Sequence, residues 1–334
     1  MQSNDVLILR GSEVEDLLAG RESEIMDVVG RAYVAHRRGQ SSLPHSTFLR
    51  FPEDDLNRII ALPAFLGDGF GVAGMKWIAS FPGNVKKGLA RASAVLILNS
   101  AATGLPEAIL ESSLISARRT AASAALAAQL LRKGRETAGA GLIGTGVINY
   151  ETARFLSKAI PGIRRFALFD LDRERAESFA GKLREMLNGP TVDVVDDPRE
   201  LYRTCPLIAF ATTAVKPHVS DLSDCLPGAT ILHTSLRDLT ADVILAADNV
   251  VDDADHVSRA STSIHLAEQQ TGNRDFIRCT IADLVTGEAP AKKDENQVSI
   301  VSPFGLGVLD LAVGQLARDR ALETGRGTVI EGFL

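Results

Sequence analysis

Apolar and polar positions alternate with a strand period in "HSTFLRF", "RIIALPAFL", "GVAGMKWIAS" and "ASAVLILNS", and Pro or Gly separates the runs. A helix-like stretch, "GSEVEDLLAGRESEIMDVVGRAYVAHRRG", precedes them, and a long alanine-rich helix, "ISARRTAASAALAAQLLRKG", follows. The pattern then changes. Apolar strands "GAGLIG", "RRFALFD", "TVDVVDD", "PLIAFATT", "GATILHTS" and "NVVDD" alternate with helical stretches such as "LDRERAESFAGKLREML", "PRELYRTC" and "LTADVILAA". This alternation predicts an α/β architecture, a doubly wound parallel sheet, preceded by an antiparallel sheet domain of α+β type. The last segment, "SIVSPFGLGVLDLAVGQLARDRALETG", reads as a strand and turn feeding an amphipathic helix, with Val308, Leu311, Ala312, Gln315 and Leu322 near one stripe. It is expected to fold back onto the leading domain.

Length and composition narrow the class. At roughly 150 residues per domain, 334 residues suggest two domains. The net charge of −6, with Lys and Arg interspersed among acids, argues against a nucleic-acid partner. The apolar runs fall short of the roughly 18 residues that a membrane span needs, and "MQSNDV" is polar where a signal peptide would be basic and then apolar. A cytoplasmic protein without a membrane partner is the expectation. Cys205, Cys225 and Cys279 form no CxxC pair, which fits reduced thiols. The six histidines show no HxxxH or HxH spacing, so no metal is expected.

The segment "AGAGLIGTGVINYETARFL" carries the first chemistry. Gly144 suits a tight turn, Gly146 allows a backbone to approach a pyrophosphate, and the helix beginning at Val147 and Ile148 aims its N–H groups at the phosphates, with Thr145 between the glycines. Asn149 stands where a third glycine is usual, so the motif alone also fits an ordinary strand-turn-helix connection. The repeated strand-helix units around it favour the dinucleotide. Asp170 ends the second strand, 24 residues after Gly146, where a carboxylate accepts a ribose diol and repels a 2′-phosphate. NAD is therefore the expected cofactor. Arg173 and Arg175 lie beside it, either complicating that preference or solvated on the next helix.

Four blocks in order, "AGMKWIAS", "ARRTAASAALAA", "GLIGTGV" and "SPFGLGVLDLA", resemble the ornithine cyclodeaminase and μ-crystallin family over nearly the whole chain. "RIIALPAFLG", "GMKWIASFPGNVKKGLARASAVLILN", "ESSLISARRTAAS" and "LVTGEAP" are most similar to its siderophore-pathway branch, whose dehydrogenases act on N-(2-amino-2-carboxyethyl)-L-glutamate and supply 2,3-diaminopropionate. The resemblance implies a substrate and dimerisation domain over 1–130, with 305–334 returning to it, and a NAD-binding Rossmann domain over 131–304. It also implies a homodimer and an amino-acid-derived substrate.

Oxidising a carbon that bears an amine and a carboxylate requires cationic clamps, a group that manages the amine proton, and a dry pocket. Arginine meets a carboxylate through its planar fork, and Arg50, Arg58, Arg91 and Arg119 are available; each is equally a candidate for a surface ion pair. The resemblance implies that Arg119 binds the substrate carboxylate and places Arg50 near a second such arginine. Arg91 stands where the family usually has "GLPT", a branch feature and a candidate contact for an extra carboxylate. Lys76, in an apolar strand, either snorkels to solvent or is desolvated with a lowered pKa. Asp238, just past a strand end, suits either a helix cap or a catalytic base. The resemblance implies catalytic roles for Lys76 and Asp238, and nucleotide contacts for Thr212, Thr213, Gly305 and Leu306. The readings left in view are this dehydrogenase, a cyclodeaminase, ketimine reductase or alanine dehydrogenase on the same scaffold, and a nucleotide-binding crystallin-like protein without turnover.

Overall fold

The alternating runs of the leading segment become the strands of one mixed sheet. In the computed structural model, which describes residues 4–334, these are β1 (Val6–Leu9), β2 (Ser41–Ser42), β3 (Thr47–Phe51), β4 (Asp54–Leu66), β5 (Val72–Ser80), β6 (Ala92–Ser100) and β7 (Pro106–Glu111). The polar start, residues 1–3, lies outside the described residues. The order across the sheet is the C-terminal strand Thr328–Ile330, then β1, β7, β6, β5, β4 and β2, with β3 also on β4. Only β1 and β7 run parallel, so the sheet is not purely antiparallel as its hairpin-like runs suggested. The single helix-like stretch forms two helices, α1 (Gly11–Leu18) and α2 (Glu22–Arg37), because Gly20 takes a left-handed φ of 68° between them.

The C-terminal helix Gly307–Thr324 packs against α1, α2, β4, β5 and β6. Covered on more than one side, it buries every residue from Gly307 to Gly314 rather than one stripe, and Leu322 is exposed. Gly74 lets this helix approach: a Cβ there would lie 2.1 Å from the Ile97 carbonyl oxygen and 2.9 Å from Leu311 Cδ2. The close approach brings a helix residue, Asp310, down onto β5.

The second unit is the doubly wound sheet that the alternation predicts. Its strands are β8 (Gly139–Ile143), β9 (Arg165–Phe169), β10 (Thr191–Val194), β11 (Leu207–Phe210), β12 (Thr230–His233), β13 (Asp248–Val251), β14 (Ile277–Thr280) and β15 (Ser299–Ser302). They pair in the order β10-β9-β8-β11-β12-β15-β13-β14, all parallel. The order reverses between β8 and β11, the position at which open parallel sheets bind ligands beyond the strands' carboxyl ends. β14 was not foreseen; it is an edge strand with a weak apolar signal around Arg278.

The chain divides into Met1–Arg119 with Leu306–Leu334, and Thr120–Gly305. The first division falls within the helix α3 (Ser113–Leu131), earlier than residue 130, because the later half of α3 is tied into the second unit: Gln129 donates to the Ala159 carbonyl. No described helix is long and apolar enough to cross a membrane. The three cysteines are unbridged.

Candidate functional site

In the first unit, β5 carries Lys76 inward, and the lysine is desolvated rather than snorkelling: it is only 2 % exposed. Its ammonium donates to Asp310 Oδ2 at 2.8 Å and to Ser116 Oγ at 3.2 Å. An ammonium has three donors, so one is left for a ligand. Burial lowers the lysine's pKa to about 8; Asp310 opposes the fall and nearby Arg119 adds to it. Arg119, on α3, donates its Nε–H to Asp310 Oδ1 at 3.2 Å. Asp310 is fully buried, and one carboxylate thus holds two cations in register. Asp310 escaped the sequence reading, although a single carboxylate inside "GVLDLAVG" was a signal, since a buried charge demands a partner.

Directly paired residues in an antiparallel sheet share a face, and every second residue along a strand returns to it. Lys76 pairs with Leu62 and Leu96; two rows further on, Ser80 pairs with Arg58 and Arg58 with Arg50. Arg50 and Arg58 therefore stand on the face that bears Lys76, roughly 13 Å along the strand at about 3.3 Å per residue. Arg50 also lies over the Phe48 ring, 5.7 Å from its centroid. Arg91 is not part of this row: it is exposed, one residue before β6, and its carbonyl accepts from the Phe81 N–H.

In the second unit, β8 runs into the glycine turn and then α4 (Val147–Ala159). Gly144 has φ 90°, and a Cβ there would lie 2.5 Å from the Ala211 carbonyl oxygen, so only glycine fits beside the end of β11. A Cβ on Gly146, the N-cap of α4, would meet nothing within 4 Å. That open approach to a helix N-terminus, in a turn without acidic residues, fits a pyrophosphate. Val147 is exposed and Ile148 half-buried at the helix start. Asn149 explains the missing third glycine: fully buried, it donates to the Ile143 and Gly144 carbonyls and fastens the turn.

Asp170, directly after β9, accepts from the Thr145 backbone N–H at 2.8 Å and from Thr145 Oγ1 at 2.7 Å. Arg175 donates to both of its carboxylate oxygens. Burial pushes this carboxyl up, but the bonds from Thr145 and Arg175 outweigh it and hold it below the usual range. Arg175, which the sequence left either solvated or complicating the cofactor preference, is thus ion-paired with Asp170 itself.

Beyond the ends of β11 and β12, Asp238 is fully buried and accepts from Thr212 Oγ1 and Ser235 Oγ through short hydrogen bonds. His233 Nε2 lies 3.2 Å from both Asp238 Oδ2 and the Asp238 backbone nitrogen, donating to the carboxylate in one tautomer or accepting from the N–H in the other, while Nδ1 is 3.4 Å from Ser302 Oγ. Burial raises the Asp238 pKa, yet the bonds from His233, Ser235 and Thr212 prevail and keep it ionised. Burial lowers that of His233. The helix that follows starts at Ala241 with Thr240 as its N-cap, so Asp238 is not the helix cap. Among the described residues its side-chain hydrogen-bond partners are two hydroxyls and an imidazole. Thr213, next to Thr212, is exposed.

Gly305 and Leu306 mark the chain's return to the first unit. The Phe304 and Gly305 N–H groups donate to Asp252 at 2.9 and 2.7 Å, and burial raises that carboxyl's pKa to about 6. Gly305 has φ 92°, and Leu306 is buried as the N-cap of the C-terminal helix. Among the described residues no group of three or more His, Cys, Asp or Glu side chains gathers as a metal site.

Residues 5–325 match the ornithine cyclodeaminase/mu-crystallin family. The chain belongs to that family. Among its relatives, the N-((2S)-2-amino-2-carboxyethyl)-L-glutamate dehydrogenase of Staphylococcus aureus is 27% identical over 98% of this chain and 99% of its own. The Δ(1)-pyrroline-2-carboxylate reductase of Thermococcus litoralis, solved with NADH and L-proline, superposes with a TM-score of 0.89 at 26% identity, covering 96% of this chain and 99% of that one. An archaeal alanine dehydrogenase dimer with bound NAD gives a TM-score of 0.87 at 27% identity, covering 98% and 99%.

Proposed function

We propose that this family member oxidises a carboxylated secondary amine, N-(2-amino-2-carboxyethyl)-L-glutamate. That it is an NAD-dependent oxidoreductase of amino-acid-like substrates follows from its family and its relatives, full-length dehydrogenases and reductases. The observation that carries the finer reading is the cationic face of the first sheet: Lys76 and Arg119 held by Asp310, with Arg50 and Arg58 on the same face. The conjugate has three carboxylates, more than alanine or ornithine offers. NAD supplies a two-electron acceptor for the hydride from the glutamate α-carbon. The amine becomes an imine, and water adds and cleaves it, so that conjugate, NAD⁺ and water give 2-oxoglutarate, 2,3-diaminopropionate, NADH and a proton.

In this reading Arg119 fixes the glutamate α-carboxylate, the third donor of Lys76 binds a carboxylate, and Arg50 and Arg58 take the more distant ones. Arg91, exposed and off the row, is a weaker candidate for that task. Asp238 keeps the amine deprotonated for hydride loss and then orients the water. Thr145, the glycine turn from Gly144 to Ile148, Asp170, Thr212, Thr213, Gly305 and Leu306 are assigned to the nucleotide. The test supplies the synthetic conjugate with NAD: NADH and 2-oxoglutarate should appear in equal amounts. No product there, with ammonia released from ornithine, would move the assignment to a cyclodeaminase.

The protein is also proposed to be a cytoplasmic homodimer. An apolar sheet face, opposite to that of Lys76, supports the homodimer. Phe65, Trp77 and Val95 stand on it at 38–41% exposure, beside half-buried Met75 and Ile97. Trp77→Glu is expected to halve the mass seen by light scattering, and native protein at one chain's 35.7 kDa would refute the dimer.

A further inference from the structure

We propose that Arg175 tunes the choice of cofactor, yielding the Asp170 carboxylate to the ribose diol of NAD and offering its guanidinium to the 2′-phosphate of NADP. The inference rests on the nucleotide reading of the Gly144–Asp170 region. A carboxylate has about four lone-pair sites. At Asp170, Oδ2 accepts from the Thr145 N–H, Thr145 Oγ1 and Arg175, while Oδ1 accepts from the Asp172 N–H at 3.1 Å and from Arg175. The acceptor is fully engaged, and its side chain is only 3% exposed.

A ribose diol can therefore bond to Asp170 only by displacing a donor. Two of the donors are backbone N–H groups, and Thr145 Oγ1 belongs to a buried residue of the glycine turn. Arg175 is the replaceable one: its side chain is 58% exposed, and it bonds to Asp170 through Nη2 at 2.7 and 2.8 Å, leaving Nη1 and Nε for another anion. Its neighbour Arg173 is held elsewhere, by Asp196 and Glu177. Without Arg175, a 2′-phosphate would face an ionised carboxylate alone; with it, the phosphate meets a cation already at that carboxylate, in the geometry guanidinium groups favour for phosphate. The discrimination that Asp170 imposes is thus softened, and NADP is accepted as the weaker of two cofactors.

The test is titration calorimetry of NAD and NADP with the intact protein, which reads binding apart from turnover. Arg175→Ala is expected to weaken NADP by about tenfold or more, the loss of a charge-assisted bond, and to leave NAD unchanged or a few-fold tighter. Arg175→Lys should keep most of the NADP affinity, and Arg173→Ala should change neither constant. Circular dichroism checks that each variant is folded, as the exposure of Arg175 leads one to expect. An unchanged NADP constant in Arg175→Ala, or equal losses for both nucleotides, overturns the assignment while leaving the NAD site intact. Native protein that binds neither nucleotide overturns the nucleotide reading itself.

Discussion

Asp238→Asn is expected to lower turnover by a factor on the order of 10² to 10⁴ while leaving the NAD constant within about threefold. Asparagine keeps the size of the side chain and can still accept from Thr212 and Ser235, but it cannot take a proton. The native carboxylate is set for that role because its partners hold it ionised and burial leaves it no direct route to water. A proton taken there must leave through Thr212, Ser235 or His233, with Ser302 beyond the imidazole. NADH absorbance at saturating substrate measures the first effect, and calorimetry the second. Unchanged turnover would remove Asp238 from the base role; NAD binding lost in parallel would make it a structural residue of the nucleotide unit.

The parts of this arrangement that were legible in the sequence are those set by local rules. Strand-helix alternation announces the parallel sheet, and Gly144 is a glycine because its backbone is left-handed against Ala211. Lys76 stood out as a charge inside an apolar strand, whereas Arg119 was singled out from three other arginines only by the family resemblance. What was not legible depends on contacts between distant segments. Asp310 lies 234 residues from Lys76, and nothing local says that the C-terminal helix lands on β5. The amphipathic stripe misled for the same reason: a helix covered on several sides needs no polar face. Sheet register is a second such case. It puts Arg58 in line with Arg50 and leaves Arg91 out, a distinction that spacing along the chain cannot make. Asn149 shows the reverse error, a departure from the glycine pattern that the fold absorbs with two hydrogen bonds.

Asp310→Asn is expected to destabilise the protein by about 3–5 kcal/mol, because it leaves two buried cations without their shared counter-charge. Urea unfolding measures this. Adding Lys76→Gln removes one of the two cations that Asp310 holds and should recover part of the stability without recovering activity, a coupling that independent sites would not show. The same substitution has a sign in the pH profile. If the ammonium of Lys76 binds a substrate carboxylate, kcat/KM falls as the pH rises through about 8, where Lys76 loses its proton. Asp310 is the group that opposes this loss, whereas burial and Arg119 promote it. Its neutralisation therefore lowers the lysine's pKa, and the falling limb moves to lower pH, with KM rising more than kcat falls at neutral pH. In Lys76→Gln the limb disappears altogether. A limb that stays near pH 8 in folded Asp310→Asn would mean that another group titrates there, and Asp310 would then be a structural anchor for the C-terminal helix alone.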